Sequence, residues 1–529
     1  GAVAVMLRET ASDPQRLMKH SRTMGEDMIK IMTGKSDLAP NPKDKRFQDP
    51  AWQYNPFMRA GMQYYLAVQK GAAHWLEDLE LDELERDRAR FVSNIIIDSL
   101  APTNTLIGNP SAQKMAITSG GLSLIKGLKN AYDDMVYNKG MVSQVDKKPF
   151  KLGENVATSK GSVVLRTEMM ELIQYTPTTD EVYEIPQLTI PPQINKMYIN
   201  DLSPEKSVVK YQLDNGIQTF VISWKNPTKD QGHWDMADYV NSCREALEAV
   251  AKITGSKKVN VSAGCSGGQT ATMLASKMAS DKDELLGALT LMVCVLHPKQ
   301  NDIEAGSLVS ENGLALAKHR AAKKGVIKGD DLARGFAWLR PNDLIWNYVI
   351  NNYLLGQDPP AFDVLFWNAD ATNLSGALMG DFLTVFETLA FTKKGEVEMV
   401  DHKIDLSKVT SDLFILGGVT DHITPWKATY RSKDVTYVLS HSGHMQAILN
   451  PPGNPKAKYY IQGDGEKKLP ATADEWLKGT EEVAGSWWPY WIDWVQTRSG
   501  KKKKAPAKLG TKKYAPLDPA PGQYVLESC

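Results

Sequence analysis

One cysteine in this sequence lies where a reactive side chain would be exposed. The run 263–268 reads Ala-Gly-Cys-Ser-Gly-Gly and joins an apolar strand, Lys258–Ala263, to a helical pattern from about Gln269. A sharp strand-to-helix turn lifts its central side chain above a sheet, and the helix N-terminus favours a thiolate there. Cys265 is therefore predicted to be a nucleophile, with the N–H of Ser266 facing a developing oxyanion. The alternative is a small buried cysteine in a tight turn.

Two residues follow in the order that a catalytic triad on a parallel sheet needs. Asp421 follows the apolar run Leu413–Gly417, and His444 follows the next run, Val435–Leu439. Because the carboxyl ends of parallel strands meet at one edge, we expect the acid and the base beside Cys265. Nucleophile, acid and histidine in this order are typical of the α/β-hydrolase fold.

Three other histidines compete for the role of base. His422 is adjacent to Asp421 and would point elsewhere, so it either touches substrate or bonds to backbone. His441 stands at a strand end and is better explained by a structural role. His297 ends the apolar run Ala288–Leu296, where it is either structural or lines the site.

The elements that must position these residues begin at about residue 151. Apolar runs alternate there with helical patterns, which predicts a parallel sheet covered on both faces. The predicted strands include Gln187–Ile190, Phe220–Trp224, Lys258–Ala263, Ala288–Leu296, Leu413–Gly417 and Val435–Leu439. A helix is expected to open at Ser203-Pro204, since Ser is a good N-cap and Pro fits the first helical position. The alternation fails from about His297 to Asp405, so 297–405 is predicted to be a cap or lid insertion.

Residues 1–150 are predicted to form a separate, mainly helical domain, and 151–529 the catalytic domain. Phe57–Trp75 and Leu79–Leu100 mix apolar with polar or charged residues at helical period. The lysine run 501–504 is interpreted as a solvated tail.

Composition excludes several classes of protein. The 529 residues carry 62 Lys+Arg against 62 Asp+Glu, which argues against a general nucleic-acid binder. Four cysteines without a CxxC pair argue against a disulfide scaffold and a cysteine zinc site. No apolar run reaches the roughly 18 residues of a membrane span, and the N-terminus lacks a signal-peptide pattern. A soluble cytoplasmic protein is expected.

The whole sequence resembles the polyhydroxyalkanoate synthases. The similarity covers most of the chain, and its runs in family order are 191–196, 201–207, 223–227, 340–348, 362–368, 421–426, 442–444 and 485–489. Two further runs, 226–229 and 448–456, resemble the single-subunit class II enzymes, which prefer medium-chain monomers. The family normally has Gly at the position of Ala263, which predicts a slightly crowded turn before the nucleophile.

The resemblance implies polymerisation of (R)-3-hydroxyacyl-CoA into a polyester, with release of CoA and an acyl group held on Cys265. No metal or separate cofactor is expected, since CoA is part of the substrate. His444 would take the thiol proton, and Asp421 would either orient His444 or help activate the 3-hydroxyl. A second oxyanion donor is expected from the backbone of Ile194.

Other expectations concern partners. His422, Trp426 and Trp367 are predicted to contact substrate, although aromatic residues of the cap could equally be core packing. The family suggests a homodimer and contact with the growing polymer and its granule, through the N-terminal helical region. Alternative functions are a thioesterase or polyester depolymerase on the same fold, and a non-catalytic granule-coating or scaffold protein.

Overall fold

The chain forms two compact units in a computed structural model that describes residues 2–298, 311–432, 435–462 and 469–529. The first unit comprises Gly1–Asp146 with Ala333–Phe362, and the second Lys147–Leu332 with Asp363–Cys529. Residues 333–362, which belong to the predicted cap, thus group with the N-terminal helices. Residues 299–310 of that cap lie outside the described residues.

Helices make up the first unit. They are α1 (Ala2–Ser12), α2 (Pro14–Met32), α3 (Ala51–Tyr54), α4 (Pro56–Asp78), α5 (Glu83–Ser99), α6 (Pro110–Thr118) and α7 (Leu122–Tyr137), with 3-10 turns at Lys45–Phe47 and Pro102–Asn104 and π-helical turns at Asn342–Trp346 and Val349–Leu354. Asp13 begins α2 by accepting hydrogen bonds from the N–H groups of Gln15 and Arg16. Gly127 lets α7 approach the backbone of Tyr353 closely, since a Cβ there would overlap the Tyr353 carbonyl.

A ten-stranded mixed sheet forms the centre of the second unit. Its spatial order is β1-β2-β5-β4-β6-β7-β12-β13-β14-β15. These strands are β1 (Gly161–Arg166), β2 (Met170–Tyr175), β4 (Gln187–Ile190), β5 (Thr219–Trp224), β6 (Val259–Gly264), β7 (Leu286–Met292), β12 (Leu413–Gly418), β13 (Val435–Ser440), β14 (Lys458–Gln462) and β15 (Thr480–Ala484). The six strands from β5 to β13 are parallel, as predicted, and antiparallel pairs extend both edges.

Further helices and short strands belong to the second unit, except that the helix Gly329–Leu339 continues into the first unit at Ala333. The helices are α8 (Val208–Asp214), α9 (Met236–Thr254), α10 (Cys265–Asp281), α11 (Glu311–Lys324), α12 (Gly329–Leu339), α13 (Asp363–Asn368), α14 (Gly376–Thr388), α15 (Trp426–Thr429), α16 (His444–Ile448), α17 (Ala473–Lys478) and α18 (Trp488–Gln496). The short strands are β3 (Glu181–Tyr183), β8 (Val326–Ile327), β9 (Leu374–Ser375), β10 (Glu398–Met399), β11 (His402–Lys403) and β16 (Lys502–Lys504). The 3-10 turns are Met197–Asn200, Lys229–Gln231, Leu406–Lys408 and Tyr524–Leu526. Among the described residues, none of these helices is long and apolar enough to cross a membrane.

Two local predictions were wrong and a third was incomplete, since the lysine run is largely solvent-exposed as expected but is not a plain tail. The helix predicted from Ser203 begins at Val208, because the hydroxyl of Ser207 accepts the N–H of Lys210 and caps it there. Strand β7 ends at Met292 rather than continuing to 296, since Val293 has a left-handed φ of 45°. The lysine run is partly a strand: β16 pairs antiparallel with β3.

Candidate active site

Cys265 is the first residue of α10 and directly follows β6. Its φ is 49°, in the left-handed region that residues other than glycine rarely adopt, and its side chain is half-buried. This is the strained strand-to-helix turn expected of a nucleophile. Ala263 lies inside β6, paired with Ile190 and Leu291, and has no left-handed φ. The unusual backbone conformation thus falls on the cysteine and not on the residue that departs from the family.

The turn is held against the end of β4 by a close backbone contact. A Cβ placed on Gly267 would lie 2.6 Å from the carbonyl oxygens of Ile190 and Pro191. A Cβ on Gly264 would meet the side chain of Ile448 at 3.6 Å, which is an ordinary contact. Gly267 is therefore required by space, whereas Gly264 is not.

Asp421 and His444 are brought together by hydrogen bonds between the loops that follow β12 and β13. The N–H of Val419 donates to the carbonyl of Ser440 at 2.9 Å, and the N–H of Thr420 to that of Ser442 at 3.1 Å. Nδ1 of His444 then lies 2.7 Å from Oδ2 of Asp421.

The carboxylate of Asp421 accepts four hydrogen bonds and its side chain has no exposed surface. Oδ1 accepts from the N–H groups of Ile423 and Thr424, both at 2.9 Å. Oδ2 accepts from the hydroxyl of Thr424 at 2.7 Å as well as from His444. Burial by itself raises the pKa of Asp421, but the hydrogen bonds from His444 and Thr424, with the charge of His444, hold it below its ordinary value. Asp421 is therefore an ionised, fully bonded partner of the imidazole.

His444 lies between this carboxylate and the cysteine. Burial alone lowers the pKa of His444, but the charge and hydrogen bond of Cys265, together with those of Asp421, outweigh burial and raise the pKa to about 10. The imidazole is only 9% exposed. Cys265, His444 and Asp421 thus form a hydrogen-bonded series in which the imidazole can take up the thiol proton, as activation of a nucleophile requires.

Two tryptophans hold the five-residue helix that begins with His444. The indole N–H of Trp487 donates to the carbonyl of Ala447 at 2.7 Å, and that of Trp488 to the carbonyl of Ile448 at 2.9 Å. Both indoles are at most 1% exposed. In the sequence these residues contribute only to the family resemblance, and their positioning role was not predicted. The tryptophan doublet followed by Pro489, a helix start, was the available signal.

The two predicted oxyanion donors lie on segments that flank the nucleophile turn. Within the described ranges, neither Ser266 nor Ile194 donates its backbone N–H to a protein acceptor. The loop carrying Ile194 is tied to α10, because Nε2 of Gln193 donates to the hydroxyl of Thr270 at 2.9 Å. Thr372 donates to the carbonyl of Gln193 at 2.8 Å. These contacts fix the loop without using the two N–H groups.

Comparison with known proteins decides the family. A family model described as the N-terminus of poly-beta-hydroxybutyrate polymerase matches residues 43–212, and one described as the alpha/beta hydrolase fold matches 200–451. Poly(3-hydroxyalkanoate) polymerase 1 of Ectopseudomonas oleovorans is 44% identical over 527 residues, or 99% of this chain and 93% of that one. The chain belongs to the poly(3-hydroxyalkanoate) polymerase family. This confirms the predicted resemblance, the α/β-hydrolase fold and the polymerase class of enzyme.

Two other known proteins are less similar to this chain. The polymerase subunit PhaC of Cupriavidus necator is 35% identical over 523 residues, covering 97% of this chain and 87% of that one. A crystallised monoglyceride lipase of Saccharomyces cerevisiae is 13% identical with a TM-score of 0.35, covering 57% of this chain and 92% of that one. The fold assignment rests on the family match and the strand order rather than on that lipase.

The residues predicted to contact substrate occupy different environments in this polymerase. Trp367 is 3% exposed and its indole N–H donates to the carbonyl of Lys196 at 2.8 Å, which is a packing role. Trp426 begins α15, is half-buried and lies 6.3 Å from the ring of Trp476. His422 is half-buried beside Asp421.

The other candidate histidines are not brought to Asp421. His441 is exposed, and its ring lies against that of Tyr460 at 6.2 Å. Nδ1 of His297 is buried, and no residue in the described parts of the chain hydrogen-bonds to it. His444, and neither of these two histidines, contacts Asp421.

Two of the remaining cysteines are buried thiols. Cys243 and Cys294 are fully enclosed, and burial raises the pKa of both well above the ordinary value for a thiol. Cys294 lies behind the nucleophile turn, where a Cβ on Gly268 would come within 2.7 Å of its own Cβ. Both thiols stay protonated and unreactive at neutral pH. Across the described ranges, no cluster of three His, Cys, Asp or Glu side chains could hold a metal ion.

Proposed function

We propose that this chain polymerises (R)-3-hydroxyacyl-CoA into polyhydroxyalkanoate, releases CoA, and holds the acyl group on Cys265 between steps. The observation that carries the proposal is the contact of His444 with both Cys265 and Asp421 at the strained turn after β6. A thiolate exchanges acyl groups with a thioester at little free-energy change, since one thioester replaces another. The acyl group on the cysteine therefore keeps its potential for transfer.

In the acylation step the Cys265 thiolate attacks the thioester carbonyl. The new carbon–sulfur bond forms as the carbonyl becomes an oxyanion, for which Ser266 and Ile194 offer backbone N–H groups. The bond to the CoA sulfur then breaks, and the departing thiolate takes the proton of the His444 imidazolium. The products are acyl-Cys265, neutral His444 and CoA thiol.

In the elongation step the 3-hydroxyl of another hydroxyacyl unit attacks the acyl-cysteine. The hydroxyl proton passes to Nε2 of His444, the new ester bond forms, and the cysteine sulfur leaves as thiolate. The charge and hydrogen bond of Cys265 that raise the pKa of His444 are absent once the sulfur is acylated. His444 then gives up its proton more readily, so acylation itself prepares the general base for elongation.

The bonding of Asp421 favours the orienting role over direct activation of the hydroxyl. Each carboxylate oxygen already accepts two hydrogen bonds, and the side chain is enclosed. A substrate hydroxyl would have to displace one of these donors to reach it. Asp421 is therefore assigned to holding the imidazole with Nε2 directed towards Cys265.

The test is single-turnover CoA release from 3-hydroxyacyl-CoA. Cys265→Ala should release none, whereas Cys294→Ala, a matched change of a buried thiol, should release CoA at close to the parent rate. His444→Ala should fail like Cys265→Ala. Normal release by Cys265→Ala would refute the proposal. Free hydroxy acids in place of polymer would instead favour a thioesterase or depolymerase on the same fold.

We further propose that the first unit contacts the growing polymer and its granule. Helix α7 turns its small and polar residues inward: Ser123, Gly127 and Asp134 are buried, and Tyr353 donates to Asp134 at 2.8 Å. Its apolar side faces outward, with Leu122, Ile125, Leu128, Tyr132 and Met135 between 63% and 74% exposed. A helix with its apolar face outward is expected to meet an apolar partner, and the polyester is one.

This second proposal has its own test. Leu128→Glu combined with Tyr132→Glu should reduce co-sedimentation with isolated polyester granules, while CoA release is kept. Leu517→Glu, at another exposed apolar side chain (55% exposed), is the matched control. Unchanged co-sedimentation would refute the assignment of α7.

The molar mass in solution, measured by light scattering, tests the expected homodimer. A fall in mass in the double variant would assign α7 to subunit contact instead.

A further inference from the structure

We propose that Thr424 is a positioning residue whose hydroxyl fixes the Asp421 carboxylate and the His444 ring in the geometry for proton transfer. The inference rests on the proposed function of Cys265, Asp421 and His444. Thr424 touches neither substrate nor the reacting sulfur, so its effect passes through the acid and the base.

Thr424 reaches Asp421 in two ways. Its backbone N–H donates to Oδ1 at 2.9 Å and its hydroxyl donates to Oδ2 at 2.7 Å. The two bonds act on different oxygens of the carboxylate and so fix its rotation about the Cβ–Cγ bond. Oδ2 then stands 2.7 Å from Nδ1 of His444.

The same hydroxyl also lies 3.2 Å from Nδ1 of His444. A threonine hydroxyl has one proton and two acceptor sites. Because the proton goes to Asp421 over the shorter distance, the hydroxyl oxygen is left to accept a second, weaker share of the Nδ1–H. Carboxylate, hydroxyl and imidazole therefore form a three-membered hydrogen-bonded ring, in which rotation of any one group breaks two bonds.

Local structure keeps Thr424 in place. The residue is 6% exposed, and Pro425 follows it with a φ of −48°. A proline restricts the backbone of the residue before it to extended conformations. The hydroxyl is thus presented to Asp421 by a backbone that has little freedom to turn.

Loss of the Thr424 hydroxyl should change the pKa of His444 in one direction. The groups that act on the charge of His444 are Asp421 and Cys265, and Tyr437 is the neighbouring titratable group that faces Asp421. Without the hydroxyl that donates to Oδ2 at 2.7 Å, Oδ2 carries more negative charge and stabilises the imidazolium more. The hydroxyl oxygen also accepts from Nδ1 at 3.2 Å, and its loss lowers the pKa of His444, but this contact is the weaker of the two. The pKa of His444 should therefore rise, and the ring should be less well fixed.

The experiment compares Thr424→Val, which has nearly the same shape without the hydroxyl, with Thr424→Ser, which keeps the hydroxyl. We expect Thr424→Val to lower kcat about 10- to 100-fold, the usual effect of losing one hydrogen bond to a charged group. KM should change by less than about threefold, and Thr424→Ser should stay within about threefold of the parent. The limb of the pH–rate profile that belongs to His444 should move to higher pH in Thr424→Val only.

Thr429→Val is the matched control for losing a buried threonine hydroxyl. Thr429 is fully buried, and its hydroxyl bonds to Trp426 and Tyr437 rather than to Asp421. If Thr424→Val does not fold, Thr424→Ala takes its place. The inference is overturned if Thr424→Val keeps its rate, if Thr424→Ser loses as much, or if the rate falls with an unchanged pH profile. Each of these outcomes leaves the proposed function standing, because that function is tested separately by CoA release in Cys265→Ala and His444→Ala and by the product that forms.

Discussion

Two glycines beside Cys265 are predicted to differ widely in how much activity is lost when the same methyl group is added. Gly267 faces the backbone of β4 and the residue after it, where a Cβ would lie 2.6 Å from two carbonyl oxygens and 2.7 Å from the Pro191 carbonyl carbon. Ordinary contacts begin at 3.4 Å, so the two backbones would have to separate by about 0.8 Å. The Ile190 carbonyl belongs to a paired strand and the Pro191 carbonyl accepts the indole N–H of Trp224 at 2.9 Å, so neither is free to rotate away as a flexible side chain is.

The size of the effect follows from what the two backbones carry. One leads into the loop with Ile194, and the other is the first turn of α10 after Cys265. Misplacement of reacting groups by about 1 Å costs about 100-fold in rate, and overpacking costs about 1–3 kcal/mol of folding free energy. Gly267→Ala should therefore lower single-turnover CoA release about 100-fold and reduce the free energy of unfolding by that amount.

Gly264→Ala is the matched control. Its Cβ would meet Ile448 at 3.6 Å and the Met292 carbonyl at 3.8 Å, and its φ of −116° suits any residue. We expect less than a threefold change in CoA release and little change in denaturant unfolding, although Gly264 adjoins the nucleophile. Equal losses in the two variants, or a fully active Gly267→Ala, would refute the spatial argument.

Three further predictions concern charges and thiols. Iodoacetamide at pH 7.5 should alkylate Cys265 well before Cys243 and Cys294, whose pKa values burial raises; peptide mass spectrometry reads the order, and early labelling of Cys294 would contradict it. Burial alone lowers the pKa of His444, but Cys265 and Asp421 raise it from 6.5 to about 10, so its contribution to stability is full below about pH 6.5 and is lost as the pH rises through about 10. The fall in unfolding free energy across that window should be smaller in Cys265→Ala, which lacks the sulfur that raises the pKa of His444, and an equal fall in the parent and the variant would count against the coupling. Glu171→Ala should lower the free energy of unfolding by about 1–3 kcal/mol and expose the segment after Gly522 to proteolysis, because the buried Glu171 accepts the N–H groups of Gln523 and Tyr524, whereas its other partner Arg166 is partly exposed and keeps Asp518; a proteolysis pattern like that of the parent would exclude this anchoring role.

The sheet and the order of the site residues were predictable because their signals are local. Apolar runs broken by turns marked β6, β12 and β13, and parallel strands place the residues that follow them at one edge. Antiparallel edges such as the β1–β2 pair carry no comparable alternation with helices, so a run of strand-forming residues there does not fix how the strands pair. The end of β7 was missed for a similar reason, since a left-handed φ at Val293 leaves no mark on its residue type.

Contacts between segments that are distant along the chain could not be predicted from the sequence. Trp488 reaches the carbonyl of Ile448 from 40 residues away, and Gln193 reaches Thr270 across 77. Nothing in a single sequence says which of many polar groups meet. Thr424 was within reach, because it lies three residues after Asp421, a spacing at which a side chain can bond back to a turn.

The four hydrogen bonds to Asp421 also bear on how one histidine would serve both the acylation step and the elongation step of the proposed reaction. The carboxylate has no acceptor site left for substrate, because its oxygens accept from Ile423, Thr424 and His444. Its negative charge therefore stabilises the imidazolium to the same degree throughout the proposed reaction. What changes between states is the sulfur. In the proposed reaction, His444 keeps its proton while Cys265 is a thiolate and donates it to the departing CoA. Once the sulfur is acylated, the charge of Cys265 that raises the pKa of His444 is gone, so the ring can accept another proton from the hydroxyl. A constant carboxylate and a variable thiolate therefore suffice to alternate acid and base, without a second titrating residue.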